Sequence, residues 1–154
     1  MRANSVLSAA ACDSGSALAE MAIVLPLLVL LLISLIEIGR FGDYTIRAGN
    51  AARAGVQYGA QNTIAAEDFA GMQNAATNDA QSPALFTATA SNFCTCADGS
   101  TSTCASTDCP SSHIIEYVQV VTTGSLSSIT NFPGLPASLR QITVHGKAVM
   151  RVAQ

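Results

Sequence analysis

The sequence predicts an α+β protein, in which a long apolar N-terminal helix precedes a second short helix and a small antiparallel sheet. Sixteen consecutive uncharged residues run from Met21 to Ile36, and a run of this length near the N-terminus indicates a membrane helix. Residues 86–93, 114–122 and 141–152 follow a period-two pattern, which is typical of half-buried strands. Four cysteines between the first two strands predict a cysteine-rich loop.

The start of the apolar run carries a candidate site. Sixteen residues rise ~24 Å against a hydrocarbon core of ~30 Å, and Ala17 to Ala19 can lengthen the span. Glu20 stands at the edge of this run, where a carboxylate is costly unless it is paired. A cut between Gly15 and Ser16 would create an α-amine four residues from Glu20. Gly15 and Ser16 are therefore the candidate cleavage site, and Glu20 is a candidate assembly residue.

Three interpretations of this N-terminus compete. A secretory signal peptide needs a basic leading segment and a small-residue cleavage site beyond the apolar core, but only Arg2 and Asp13 are charged before Glu20 and no Ala-x-Ala follows. A plain single-span anchor fits the length. Only a precursor that is cut after Gly15 and retains its apolar helix accounts for the positions of Gly15 and Glu20.

The segment after the apolar run is predicted to continue as an amphipathic helix to residue 60. Ala48, Ala52, Gly55 and Gly59 are spaced four, three and four residues apart, so they lie on one helical face. Such a small-residue stripe allows close helix packing, either against another helix or against the sheet of the same chain. The next helix is predicted from Thr63, as its N-cap, to about Ala80.

Composition and motifs argue against nucleic-acid binding and catalysis. Charged residues make up 11% of the chain and the net charge is −3. The sequence therefore lacks the excess of lysine and arginine that is typical of nucleic-acid-binding domains. His113 and His145 are the two histidines, and neither stands in a recognised nucleophile setting. We therefore expect no enzymatic activity, no cofactor and no small-molecule substrate.

The cysteine cluster predicts disulfides. Cys94, Cys96, Cys104 and Cys109 fall within 16 residues, and an even cluster in an exported domain indicates two bridges. Zinc, with His113 as a further ligand, is the alternative, but the two-residue knuckles usual in structural zinc sites are missing. We expect disulfides and no metal. A nested pairing, Cys94 with Cys109 and Cys96 with Cys104, is one possibility, and the sequence leaves the connectivity open.

Several motifs of the helix give a specific resemblance. A glutamate-apolar pair (Glu20-Met21), a Leu-Pro within the apolar run (Leu25-Pro26), a Glu-x-Gly-Arg exit (residues 37–40) and an arginine-bearing helix (Arg47 to Arg53) follow in order. This stretch resembles the TadE family of minor pilins, which belong to tight-adherence (Flp-type, type IVb) pilus systems. Met21 departs from the tyrosine or phenylalanine that Flp-type pilins usually place after the glutamate.

The resemblance continues beyond the helix. Family members tend to carry a CxC-x-DG segment with two further cysteines, a Tyr-Val-x-Val strand, a Phe-Pro-Gly-Leu-Pro connection and a closing Met-Arg-Val strand. These correspond here to residues 94–99 with Cys104 and Cys109, then 117–120, 132–136 and 150–152. The resemblance implies a pilin-like fold with a leader (residues 1–15), a transmembrane and assembly helix (residues 16–60) and an exported head (residues 61–154).

The resemblance also implies a structural function in assembling an adhesive pilus. The implied partners are the inner membrane, a prepilin peptidase, the major and other minor pilins and the pilus assembly platform, with the C-terminal domain in the periplasm or in an extracellular pilus. The alternative is an unprocessed single-span protein whose disulfide-bonded periplasmic domain binds an envelope partner. Arg40, Arg47 and Arg53 follow the apolar run and oppose export by the positive-inside rule. Interleaved Glu37 and Asp43, and the clustered cysteines, favour export.

Overall fold

The computed structural model describes residues 13–82, 84–105, 107–129 and 141–153. One compact unit ends at Gly39 and a second begins at Arg40. The α+β class is confirmed. The elements in chain order are α1 (Asp13–Gly59), α2 (Thr63–Glu67), α3 (Phe69–Asp79), β1 (Phe86–Cys96), β2 (Thr101–Ser102), β3 (Ile114–Ser127) and β4 (Gln141–Arg151).

The four strands form one antiparallel sheet in the order β2-β1-β3-β4. The predicted strand starts at 86, 114 and 141 agree with the structure. β1 and β3 end later than predicted, and β4 ends one residue earlier. Even-numbered residues of β1, β3 and β4 make up the inner face, where Val118 and Val120 are fully buried with Phe86 and Val144. Odd-numbered residues form the outer face, which is rich in threonine and serine because it meets water.

The C-terminal half of α1 packs its small residues against this sheet and against α3. Ala48 and Ala52 are completely buried. A Cβ atom on Gly55 would lie 2.9 Å from the carbonyl oxygen of Met72 and 3.1 Å from the side chain of Val120, and one on Gly59 would collide with the Met72 side chain. The helix from residue 40 onwards is therefore part of the second compact unit, which begins well before the predicted head boundary at residue 61.

The helix approaches the sheet most closely at Gly146. A Cβ at this position would collide with the carbonyl group of Ala48, so only glycine lets β4 lie this close to α1. The buried hydroxyl of Thr122 donates a hydrogen bond to the Ala48 carbonyl oxygen at 2.7 Å. This bond satisfies a polar group that would otherwise be buried at a cost.

Two consecutive caps divide the predicted second helix. The Asn62 side chain accepts a hydrogen bond from the Ala65 N–H at 2.8 Å, so Asn62, not Thr63, is the N-cap. The Asp68 side chain then accepts one from the Gly71 N–H at 2.9 Å and starts α3. The single helix predicted from Thr63 to Ala80 was wrong, because a capping side chain at Asp68 stabilises a new helix start.

Asp68 also joins this corner to α1. The Tyr58 hydroxyl donates to the Asp68 carboxylate at 2.7 Å, and a Cβ on Gly71 would collide with both side chains. The Gly71 N–H and then the Tyr58 hydroxyl lower the pKa of Asp68, while the hydrogen bond to that carboxylate and its charge raise the pKa of Tyr58. The ionised carboxylate is thus the form that the folded state prefers.

The cysteine loop is closed by two crossed bridges. Cys94 pairs with Cys104 and Cys96 with Cys109, with Cα–Cα distances of 5.2 and 5.6 Å. The nested pairing was wrong. Because β2 runs back antiparallel to β1, with Cys94 opposite Ser102, the returning chain brings Cys104 to Cys94 and leaves Cys96 for Cys109.

Asp108 organises the same loop from within. Its Oδ2 accepts hydrogen bonds from the N–H and hydroxyl of Thr103 at 2.6 and 2.7 Å and from the Ser102 hydroxyl at 3.2 Å. These bonds, those of Thr103 first, lower the pKa of Asp108. The loop is therefore held by side-chain hydrogen bonds as well as by the two bridges.

The close approach at Gly146 predicts a sharp steric cost. Gly146→Ala should lower the free energy of unfolding by about 1–3 kcal/mol, as overpacking does, measured by thermal or urea unfolding of the detergent-solubilised chain. Gly49→Ala is the matched control, because a Cβ there meets nothing within 4 Å and should stabilise α1 by about 0.5–1 kcal/mol. Equal effects of both substitutions would contradict the packing.

The Tyr58–Asp68 contact predicts a pH dependence. Since the pKa of Asp68 is lowered in the folded state, its contribution is present above the usual aspartate range and is lost as the pH falls through the folded pKa. Tyr58→Phe should lower the melting temperature at neutral pH and reduce the loss of stability on acidification. Parallel pH profiles of variant and wild type, measured by circular dichroism, would contradict the contact.

Paired serine substitutions test the crossed bridges. Cys94→Ser/Cys104→Ser should leave Cys96 and Cys109 bonded and resistant to alkylation without reductant. Cys94→Ser/Cys109→Ser should instead leave both remaining loop thiols free, because they belong to different bridges. Intact mass after alkylation, with Cys12 counted separately, distinguishes the two. The opposite pattern would restore the nested pairing.

Candidate functional site

The first half of α1 carries the residues predicted to act in the membrane. Most of its large apolar side chains between Leu18 and Ile38 are exposed, with Ile23 at 78%. Among the described residues, α1 is the one helix that is long and apolar enough, by length and composition, to cross a membrane. Exposed leucine, isoleucine and valine around a whole helix suit a lipid environment rather than water.

Gly15, Ser16 and Glu20 lie together on the first turns of this helix. The Ser16 hydroxyl lies 3.5 Å from Oε1 of Glu20, so the two residues share one helical face, four positions apart. A Cβ on Gly15 would meet nothing within 4 Å, so the fold of this unit does not require glycine there. An amine created on Ser16 would lie about one helical turn, ~6 Å along the axis, from Glu20.

Pro26 interrupts the backbone hydrogen bonds of the apolar segment. It lies inside α1 and has no N–H, so the carbonyl of Ala22 lacks its usual donor four residues on. Farther along, the Ser34 hydroxyl donates to the Leu30 carbonyl oxygen at 2.8 Å, which satisfies a polar side chain within the helix itself. Pro26 thus marks a weak point in the hydrogen bonding of the predicted span.

Charged residues return where the apolar run ends. Arg47 Nε lies 2.9 Å from Oδ2 of Asp43, an i,i+4 pair on the helix surface. Arg40 donates to the Ser127 carbonyl oxygen at 3.4 Å. Arg40 and Arg47 therefore make polar contacts within the second compact unit.

The small-residue stripe is separate from this site. Of the two alternatives for Ala48, Ala52, Gly55 and Gly59, the structure shows packing against the sheet and α3 of the same chain. All four positions are buried in the second compact unit. Their surface is consequently occupied, and it offers no exposed groove for a second helix.

Sequence reasoning missed two residues on which this packing depends. Thr122 and Gly146 face each other across β3 and β4 and both contact the Ala48 carbonyl region. An isolated glycine in the predicted strand 141–152 was the available signal, since it often marks a close backbone approach. Thr122 carried no signal, because threonine is common on either face of a strand.

His113 and His145 both lie in the second compact unit. His145 lies on the outer face, with its Nδ1 3.2 Å from the Thr123 hydroxyl, opposite that residue in the β3–β4 register. The backbone carbonyl of His113 accepts a hydrogen bond from Ala97 N–H in the cysteine loop. Both positions fit structural roles.

Comparison with known proteins agrees with the motifs of the helix. No curated protein and no solved structure matches the chain significantly. Residues 15–57 match the family model described as TadE-like protein, and this confirms the resemblance for the segment that contains Gly15, Ser16, Glu20 and Pro26. The likeness to TadE-like proteins therefore covers residues 15–57, which lie within the long N-terminal helix of this chain.

Proposed function

We propose that this chain is a minor pilin or pseudopilin of a tight-adherence type IVb pilus, which inserts through its N-terminal helix to assist pilus assembly and surface adhesion. The observation that carries the proposal is the TadE-like match over residues 15–57, combined with the exposed apolar surface of the same helix. The role is structural: the helix supplies the contacts and no reaction is involved.

Glu20 is the centre of the proposed mechanism. A carboxylate at the edge of an apolar helix is costly in lipid unless a cation neutralises it. The amine that cleavage creates on Ser16 can meet Glu20 of a neighbouring subunit, and only one axial offset between neighbouring helices brings the two groups together. Charge pairing therefore favours one register of stacking, while the leucine-rich surface supplies packing in any register.

The contact between Ser16 and Glu20 within one chain supplies a competing arrangement. Their side chains lie 3.5 Å apart in the uncut chain. The Ser16 hydroxyl is thus a polar partner for the Glu20 carboxylate before the subunit assembles. Assembly would exchange this weak contact for a charged pair between subunits. The hydroxyl donor is neutral whereas the amine is a cation, and the attraction between opposite charges is strengthened in surroundings of low dielectric constant, which favours the exchange.

Export of the head to the periplasm is part of the proposal. The two bridges of the cysteine loop suit an oxidising compartment. Prepilin peptidase, the major and other minor pilins and the assembly platform are the proposed partners. The alternative is an unprocessed anchor whose disulfide-bonded head binds an envelope partner, and processing at Gly15 discriminates between the two.

Processing is tested at the cleavage site. In the native host, the membrane-extracted protein should begin at Ser16, and Gly15→Leu should leave a precursor heavier by about 1.5 kDa, the share of 15 residues in a 154-residue chain of 15.8 kDa. Gly39→Leu is a matched control on the same helix, since a Cβ there also meets nothing within 4 Å. An N-terminus at Met1 or Arg2 in the wild type would favour the unprocessed anchor.

Assembly is tested at Glu20. Glu20→Gln and Glu20→Ala should leave membrane insertion and cleavage largely intact but reduce co-purification and crosslinking with the other pilins. Glu67→Gln is the matched control, because Glu67 is an exposed carboxylate of α2. Variants are compared at equal membrane abundance. Wild-type incorporation of the Glu20 variants would reduce Glu20 to an interfacial residue and remove the proposed mechanism.

A further inference from the structure

The second compact unit begins where the predicted span ends. α1 is a single helix from Asp13 to Gly59, and Arg40 is the first residue of the second unit. Arg40 follows Glu20 by twenty residues, and a helix of this length rises ~30 Å, which matches the thickness of the hydrocarbon core. With Glu20 at one edge of the core, Arg40 therefore lies at the other edge.

The start of β4 lies beside Arg40. The Arg40 Nη1 donates a hydrogen bond to the Ser127 carbonyl oxygen at 3.4 Å, and Ser127 is opposite Gln141, the first residue of β4. Ile142 follows and is opposite Leu126. This end of the sheet is therefore in contact with a residue that lies at the edge of the hydrocarbon core, whatever the tilt of the unit.

Three large apolar side chains are exposed near Arg40. Phe41, which follows it on α1, is 43% exposed, and Ile142 at the start of β4 is 42% exposed. Ile129, two residues beyond Ser127, is 59% exposed. We call Phe41, Ile129 and Ile142 the proximal residues. Their exposure to water is unfavourable, whereas the boundary between headgroups and acyl chains accepts aromatic and aliphatic side chains.

The strands carry no formal charge at this end of the sheet, with histidine counted as neutral. Among the described strand residues the charged ones are Glu116, Lys147 and Arg151, and each lies six or more residues from this end. On α1 the next two charged residues, Asp43 and Arg47, form an ion pair at 2.9 Å. Few charged groups would therefore lose water when this end enters the headgroup layer, which keeps the cost of burial low.

We propose that the proximal residues lie in the interfacial layer of the bilayer that α1 crosses, with their side chains at the boundary between headgroups and acyl chains. Phe41 is one helical step, ~1.5 Å, beyond Arg40, and the interfacial layer on each side of the core is ~5–7 Å thick. Phe41 therefore lies within this layer, and Ile129 and Ile142 reach it from the sheet.

The contact gives the second unit an attachment to the bilayer in addition to α1. Interfacial side chains set the tilt of a membrane protein, because they resist displacement towards either water or the hydrocarbon core. Ile129 follows β3 and Ile142 belongs to β4, so two anchors come from the sheet and one, Phe41, from the helix. The three positions together restrict the tilt of the second unit relative to the bilayer.

Position along the chain, and not exposure by itself, identifies the lipid contact. Ile64 on α2 is 82% exposed, and Met150 near the other end of β4 is 38% exposed. Ile142 and Met150 are eight residues apart on the same face of one strand, which corresponds to ~26 Å. Ile142 lies at the strand end beside Arg40 and Met150 does not, so the two residues form a matched pair for a test.

The contact requires α1 to cross a membrane, but it requires neither cleavage at Gly15 nor pairing of Glu20. It can be present in an unprocessed anchor and absent from a pilus subunit. Its failure and the failure of the proposed pilus function are therefore separate outcomes.

Fluorescence from single cysteines tests the contact in the full chain. Ile142→Cys and Met150→Cys, each in a Cys12→Ser background, are labelled with the environment-sensitive fluorophore NBD while the four loop cysteines stay bridged. The chains are reconstituted at a high lipid-to-protein ratio into phosphatidylcholine vesicles, with and without lipids that carry a nitroxide near the headgroup end of the acyl chain.

The label at residue 142 should emit at a shorter wavelength than the label at residue 150. It should also be quenched by the nitroxide at least about twofold more strongly, since interfacial side chains lie ~5–10 Å deep at the headgroup and acyl boundary. Ile64→Cys should behave like Met150→Cys. Equal spectra and equal quenching at residues 142 and 150 would overturn the proposal. A signal at residue 142 that rises with protein density would assign the surface to a second copy, and would overturn it as well.

A longer helix tests the geometry. Seven polar helix-forming residues inserted between Gly39 and Arg40 move the second unit ~10 Å along the helix axis in nearly two full turns. The label at residue 142 should then lose its nitroxide quenching, while the melting temperature stays close to that of the chain without the insertion. Undiminished quenching at residue 142 in a chain with the insertion and an unchanged melting temperature would contradict the proposed depth.

Discussion

The head of this protein depends on how closely α1 can approach the sheet. Gly146 leaves room for the Ala48 carbonyl, and Thr122 donates a hydrogen bond to the same oxygen at 2.7 Å. Aromatic residues make up only 5% of the chain, so the core is filled by small side chains and requires short distances between its layers. Dispersion falls off quickly when a gap opens, which explains why glycine and alanine dominate the contact.

The two parts of α1 have different surroundings. Residues before Gly39 expose leucine, isoleucine and valine, and residues after Arg40 bury alanine and glycine against their own sheet. The change in side-chain size follows the change in partner, since flexible lipid chains accommodate bulky residues and a folded sheet must be approached closely. Glu20 lies in the first segment and the small-residue stripe in the second, so the candidate assembly residue and the residues that stabilise the folded second unit are separate along α1.

The sheet edge at β2, next to the cysteine loop, is stabilised by disulfides and side-chain hydrogen bonds in place of a large hydrophobic core. Two crossed bridges close the loop between β1 and β3, and Asp108 accepts three hydrogen bonds inside it. Small exported domains commonly use bridges where burial is limited. The β4 edge lies at the opposite side of the sheet order, and among the described residues β4 pairs with β3 alone.

The sequence by itself determined the long apolar helix, the three main strands and the cysteine loop, because these depend on local hydrophobic period and composition. It also located Gly15, Ser16 and Glu20 as a candidate site through their spacing. Only the tertiary structure decided the crossed bridges, the contact of Tyr58 with Asp68 and the partner of the small-residue stripe. Each of these depends on which chain segments contact one another in the folded chain. β2 pairs with β1, the Tyr58 hydroxyl donates to Asp68, and Gly146 leaves room for the Ala48 carbonyl. Contacts between segments that are distant in sequence cannot be inferred from residue spacing alone.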